Sequence, residues 1–238
     1  MTSEFFKWKS LSIEQHDLVL KVGTDAILLG SWIKKIISNS LSILDAGTGS
    51  GVIAMMLSEN FPAAKIIAID TDENAVKLAE NNFRYNSKDK GVISRCEDVL
   101  DTPSDEIKYD LIVSNPPYFF GQLHAAKQHN RNAKHTVHSH DEWIHGCAQR
   151  LAENGDVCLI VPYENASHWI TSANNLRLYC QHRVDVNSFA GNTPVRSLLH
   201  FHQALVKPSL KSLTIYESIN TYTTAYLELT GIQPEKRL

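Results

Sequence analysis

Short apolar runs alternate along this chain with segments of helical periodicity, and their order predicts most of a fold. Ser42-Ile43-Leu44-Asp45 has the content of a buried strand, Val52 to Glu59 that of a helix, and Lys65 to Asp70 that of a second strand. From Asp72 to Asn86, Ala75, Leu78, Ala79 and Phe83 recur at helical spacing on one face, and strands are expected at Gly91 to Cys96 and Tyr109 to Ser114. A long polar connection leads to a helix near Asp141 to Leu151, a turn at Asn154-Gly155 and a strand at Val157 to Val161. Such alternation builds βαβ units, hence a parallel sheet covered by helices on both faces. Leu176 to Val186 and Val195 to Val206 break it, because no helix-length pattern separates them. They are expected as an antiparallel pair closing the edge of an α/β, mostly parallel, seven-stranded sheet. Before the first strand, Thr24 to Ile37 predicts an amphipathic helix with Thr24 as its N-cap.

With 238 residues, 43% of them hydrophobic, the chain can bury a full core, and a single domain over 1–238 is expected, with 1–40 as an N-terminal extension. The formal charge of −3 gives no whole-molecule attraction to nucleic acid, so any such surface is a local, salt-sensitive patch. Cys96, Cys147, Cys158 and Cys180 have no C-x-x-C spacing, and three lie in apolar runs, which fits reduced thiols better than a disulfide framework or a zinc site. The N-terminus lacks an apolar core of signal-peptide length and no segment is long enough to span a bilayer, so a soluble, cytoplasmic protein is expected; a monomer is expected as well.

Chemistry concentrates at two places. Asp45-Ala46-Gly47-Thr48-Gly49-Ser50-Gly51 follows the first buried strand and opens a helix, where glycines permit a sharp turn and close approach of a ligand to free N–H groups. Asp70 ends the next strand and is suited to accept hydrogen bonds from ribose hydroxyls. A dinucleotide fingerprint would place its third glycine at position 52, which is Val52. Asp45 would repel a pyrophosphate but suits the cationic amino-acid end of S-adenosylmethionine, and Asp98 suits the exocyclic amine of that cofactor's adenine.

The second place is Asn115-Pro116-Pro117-Tyr118, directly after Leu111-Ile112-Val113. A planar conjugated amine attacks an electrophile only when its nitrogen can move toward a tetrahedral geometry with its hydrogens held by acceptors. The Asn115 side-chain oxygen and the Pro116 carbonyl supply two, on a chain stiffened by Pro116 and Pro117, and Tyr118 offers a face for stacking. The stretch 111–140 holds no Asp or Glu but has Lys127, Arg131, Lys134 and five histidines, and can lie against phosphates. Phe119 and Phe120 add aromatic surface for an unstacked base. A metal at His135, His138 and His140 is the weaker reading, since neither H-E-x-x-H nor partner cysteines accompany them. Residues 187–216 are also acid-free; Arg196, Lys207 and Lys211 either extend a basic groove, or Arg196 pairs with a structural carboxylate.

The D-x-G-x-G-x-G turn with a downstream N-P-P-Y resembles class I S-adenosylmethionine-dependent methyltransferases of Rossmann-like fold that act on planar amines. Lys21-Val22-Gly23-Thr24-Asp25-Ala26-Ile27-Leu28-Leu29-Gly30, Arg196-Ser197-Leu198-Leu199 and Tyr222-Thr223-Thr224-Ala225-Tyr226 are similar to segments of the bacterial tRNA1(Val) adenine N6-methyltransferases. That resemblance implies a cytoplasmic enzyme methylating N6 of adenosine 37, next to the anticodon of a tRNA, with Gly23 and Asp25 approaching the cofactor from the side opposite Gly47 and Gly49. It implies neither metal nor membrane. Methylation of guanine N2 in RNA or of glutamine N5 in a protein uses a similarly conjugated nitrogen and stays open, as does a cofactor-binding RNA chaperone without catalysis.

Overall fold

The computed structural model describes residues 4–15, 19, 22–86, 91–102, 107–117 and 139–232. Its strands are β1 (Glu4–Trp8), β2 (Leu11–Gln15), β3 (Ser42–Ala46), β4 (Lys65–Asp70), β5 (Val92–Cys96), β6 (Tyr109–Ser114), β7 (Leu151–Pro162), β8 (Tyr179–Phe189), β9 (Arg196–His202), β10 (Ser209–Ser218) and β11 (Thr221–Tyr222). The helices are α1 (Thr24–Ile36), α2 (Val52–Asn60), α3 (Glu73–Tyr85), α4 (His140–Arg150), α5 (Ala166–Asn175) and α6 (Thr224–Thr230). One sheet runs in the order β11-β10-β8-β9-β7-β6-β3-β4-β5, and β1 and β2 form a separate hairpin. From β5 across to β7 all neighbours are parallel; β9 is antiparallel to both β7 and β8.

The expected seven strands are there in the expected order, with two more at the edge. β10 joins β8 in parallel and β11 folds back on β10. In β10 only Leu213 and Ile215 are buried, with Tyr216 partly buried against the core and Lys211 and Ser212 exposed, a pattern too short to stand out in the sequence. Thr24 is not the N-cap: Gly23 holds that position and no side chain caps α1. Asn154, at φ 61°, sits inside β7 in a bulge, the pairing passing from Leu151 opposite Tyr109 to Asp156 opposite Leu111.

Alternation along the strands feeds two apolar layers. Ile43, Leu111 and Ile160 point into one with α1, α2 and the hairpin residues Trp8, Leu11 and Ile13; Leu44, Ile112 and Leu159 point into the other with α4 and α5. All four tryptophans are buried, as packing residues should be. Tyr222 of β11 stacks on Tyr226 of α6 at 4.8 Å and on Tyr216 of β10 at 5.1 Å, which ties α6 to the sheet. Cys147, Cys158 and Cys180 are buried and only Cys96 is exposed; burial pushes the Cys147 thiol up to about 12.

The hairpin is tied to α3 by two asparagines one turn apart. Asn82 accepts from Glu14 N (2.7 Å) and donates to Glu14 O (3.0 Å), and Asn86 does the same with Ser12 at 3.0 and 3.2 Å, so their amides replace a neighbouring strand on β2. Asn82 Nδ2 also donates to Ser50 O at 2.9 Å, coupling the hairpin to the glycine turn. Asn82 is 1% exposed. Asn82→Ala, which strands these buried partners, is expected to cost about 2–4 kcal/mol in urea unfolding. A loss below 0.5 kcal/mol would show that the hairpin docks by apolar contact alone.

Candidate functional site

Strand order reverses between β3 and β6: the chain passes from β3 outward through β4 to β5, then returns to β6 on the other side of β3. Helices leave such a switch point on opposite faces, opening a crevice at the carboxyl ends of the strands, where open α/β sheets take ligands. The two chemical motifs meet there. Ala46 pairs with Ser114, so the glycine turn and Asn115 emerge side by side, and Ser114 Oγ donates to Ala46 O at 2.7 Å. Asp70, Gly47 and Asn115 leave adjacent strands at one edge, with Asp98 two residues beyond β5. Three strand steps at about 4.8 Å make this row roughly 14 Å wide, enough for a nucleoside and its 5′ substituent.

The turn is held from behind. Gly47 N and Thr48 N both donate to Ile69 O (2.9 Å each), and Asp45, fully buried, accepts from Thr48 Oγ1 at 2.7 Å and Ala54 N at 3.1 Å through Oδ2. Asp45 Oδ1 is buried without a hydrogen-bond partner among the described residues. Asp70 accepts from Gly49 N (2.9 Å) and Asp72 N (3.0 Å), so the acid that ends β4 also shapes the glycine turn. Gly47, Gly49 and Gly51 all have positive φ, but their surroundings differ. A Cβ on Gly49 would meet nothing within 4 Å, whereas one on Gly51 would lie 2.6 Å from Phe83. Gly49 faces open space and Gly51 faces the core. Gly23 also has nothing within 4 Å of a Cβ. Asp98 accepts from Leu100 N at 2.9 Å, which closes the turn after β5.

Asn115 is half-buried, Pro116 buried and Pro117 exposed at the end of β6. Tyr118, Phe119, Phe120, Lys127, Arg131, Lys134, His135 and His138 lie outside the described residues. For Arg196 the alternative of a structural partner holds: its Nε donates to Asp25 Oδ2 at 2.9 Å. This ion pair joins residues 171 apart in sequence and brings the start of α1 to the start of β9. Lys211 of β10 pairs with Val184 of β8, which pairs with Leu198 of β9, so Lys211 stands two residues along the ladder from the level of Arg196. Among the described residues no three His, Cys, Asp or Glu side chains are grouped to hold a metal, and no helix is long and apolar enough to cross a membrane. Two functional hydroxyls carry no signal of their own in the sequence: Thr48, inside the glycine turn, and Ser114, the last residue of β6 directly before Asn115, which lock the two motifs.

Burial pushes the Asp45 acid up to about 7, against the hydrogen bonds from Thr48 and Ala54 and with help from Asp70. Asp70 is raised for the same first reason, burial. A folded pKa above the unfolded one means that the native state holds a proton that the unfolded chain has released. The stabilisation is therefore complete below about pH 4 and lost as pH rises toward about 7. Asp45→Asn is expected to flatten this slope and to raise stability above pH 7 by about 1–3 kcal/mol, the apo protein being measured by thermal melts from pH 4 to 8. Identical slopes in both proteins would show that Asp45 does not titrate there.

A methyltransferase is the class of protein that this fold and site define. The methyltransferase small domain family matches residues 21–173, which contain the switch point and both motifs. The chain is 34% identical over 227 residues to the tRNA1(Val) (adenine(37)-N6)-methyltransferase of Haemophilus influenzae, covering 94% of this chain and 96% of that one. With the same enzyme of Actinobacillus succinogenes it shares 35% over 229 residues, 94% of each chain. The chain belongs to this family of tRNA1(Val) (adenine(37)-N6)-methyltransferases. Among solved structures, a predicted O-methyltransferase from Agrobacterium tumefaciens superposes with a TM-score of 0.68 at 16% identity, over 87% of this chain and 96% of that one. The M. jannaschii tRNA m1G37 methyltransferase gives 0.61 at 17%, over 84% and 56%. These likenesses establish the fold.

Proposed function

We propose that this protein transfers a methyl group from S-adenosylmethionine to N6 of adenosine 37 in tRNA1(Val). The observation that carries the reading is the Ala46–Ser114 register, which puts the glycine turn and Asn115 next to each other at the switch point. The residues present fit the cofactor. Gly49 leaves its face of the turn open, Asp70 offers carboxylate oxygens beside it, and the partnerless Asp45 Oδ1 suits a site that receives a cationic amino-acid group. Asp98 would receive the adenine amine, and Gly23 and Asp25 would close over the opposite side, held by Arg196. When bound, the cofactor supplies an electrophilic methyl on a sulfonium.

The chain's own contribution is orientation and electrostatics. Asn115 Oδ1 and the Pro116 carbonyl would take the two hydrogens of the target amine, which would turn its lone pair out of conjugation with the ring and leave it free to receive the methyl that the cofactor would supply. The proton then leaves nitrogen for solvent. Tyr118 and Phe119 would stack the base, and Lys127, Arg131 and Lys134 would meet anticodon-arm phosphates; these are readings of the sequence. We take 1–238 to act as one unit, a cytoplasmic monomer. Mass spectrometry of nucleosides from purified tRNA1(Val), with and without the gene, is expected to show N6-methyladenosine only when the gene is present. An unchanged N6-methyladenosine level would overturn the reading, and loss of N2-methylguanosine in its place would favour the guanine alternative.

A further inference from the structure

Arg150, at the end of α4, is 1% exposed, and the methyl-transfer site as described does not use it. A guanidinium stays charged at any physiological pH, so enclosing one is costly unless acceptors surround it. All the partners recorded for Arg150 lie in the turn after β5. Nη2 donates to Glu97 Oε1 at 2.7 Å and to Asp98 O at 3.1 Å, and Nη1 donates to Val99 O. Three successive residues are gripped by one planar group, and the central one is Asp98. One helical turn earlier, Gly146 seats the same face of α4 against this turn, since a Cβ there would lie 2.5 Å from Val99 O. The backbone of 97–99 is thus fixed by the end of α4, whereas the glycine turn takes its hydrogen bonds from Ile69 and Asp70 of β4 and Asp45 of β3.

We propose that Arg150 is a positioning residue for recognition of the cofactor's adenine: by clamping Glu97, Asp98 and Val99 it sets where the Asp98 carboxylate stands when the exocyclic amine arrives. This rests on the reading of Asp98 given above. A lysine could not replace it, because a single ammonium cannot reach three acceptors arranged around a fork. The consequence is selectivity for the amine and not merely affinity for the cofactor. Arg150→Lys loosens the Asp98 turn and leaves the Gly47–Gly49 turn and Asp70 in place.

The test compares two ligands by calorimetry: S-adenosylhomocysteine and its analogue with hydrogen in place of the adenine amine. The wild-type protein is expected to prefer the first by about tenfold or more, the value of one hydrogen bond to a charged group. In Arg150→Lys the ratio is expected to fall to within about threefold of unity, and in Glu97→Gln, which keeps the arginine but removes its counter-charge, to fall part of the way. A ratio of two affinities measured on one preparation is unaffected by a fraction of unfolded chains, and Glu97→Gln decides the matter if Arg150→Lys does not fold. A wild-type ratio retained by the folded variants would overturn the role of Arg150. A wild-type ratio near unity would overturn the Asp98 reading itself, and the proposal with it.

Discussion

Asn115→Ala is expected to lower kcat for tRNA methylation by about 100- to 1,000-fold, the usual cost of removing one preorganised acceptor or donor from the atom where charge develops. The adenine amine is conjugated with its ring, so its hydrogens become more acidic as nitrogen starts to bond to carbon. An acceptor in place at that moment stabilises the transition state more than the ground state. Alanine leaves one hydrogen of the amine facing a hole. Affinity for the cofactor should change by less than about tenfold, because the glycine turn is held by Ile69 O, Asp45 and Asp70, none of which needs the Asn115 side chain. Single-turnover rates with saturating tRNA and cofactor, together with the Kd for S-adenosylhomocysteine, check this. A rate within threefold of wild type would show that the amine is held by something else.

Gly51→Ala is expected to have the largest effect on stability. At φ 82° any side chain is strained, and the new Cβ would press on the Phe83 ring at 2.6 Å and on Ala79 at 3.1 Å, both on the buried side of α3. Backbone strain and overpacking together come to about 2–5 kcal/mol, a fall in Tm of roughly 5–15 °C for a chain of this size. Gly49→Ala, two residues earlier, shares only the strain, since nothing lies within 4 Å of its Cβ. Its expected cost to the fold is about 1 kcal/mol, and its main effect should be on cofactor affinity, because the added methyl projects into the open side of the turn. Scanning calorimetry with and without S-adenosylhomocysteine separates the two. Equal Tm losses in both variants would contradict this division of labour among the glycines.

Where apolar periodicity was strong the elements were legible: β3, β4, α3, β6 and the antiparallel β8–β9 pair lie within a few residues of their expected bounds. The two motifs were legible for a different reason, because a glycine turn and an Asn-Pro-Pro each need residue types that nothing else replaces. The hairpin β1–β2 was not. Its turn is Lys9-Ser10, with Lys9 at φ 48°, and carries no glycine or asparagine to signal it. Its edge, moreover, is satisfied by Asn82 and Asn86, whose role no local pattern reveals. Arg150 was hidden likewise: on a helix end it looks like any solvated cation, and only the tertiary structure encloses it against Glu97. Arg196 shows the limit of acid-free stretches as a guide, since its partner, Asp25, is 171 positions away.

The most direct measurement is transfer of labelled methyl from S-adenosylmethionine to unmodified tRNA1(Val) transcript by the purified protein, with nucleoside identification, beside a transcript carrying guanosine at position 37. Label in N6-methyladenosine from the first transcript and none in the second is the predicted result. Equal labelling of both transcripts, or label that stays with protein, would contradict it.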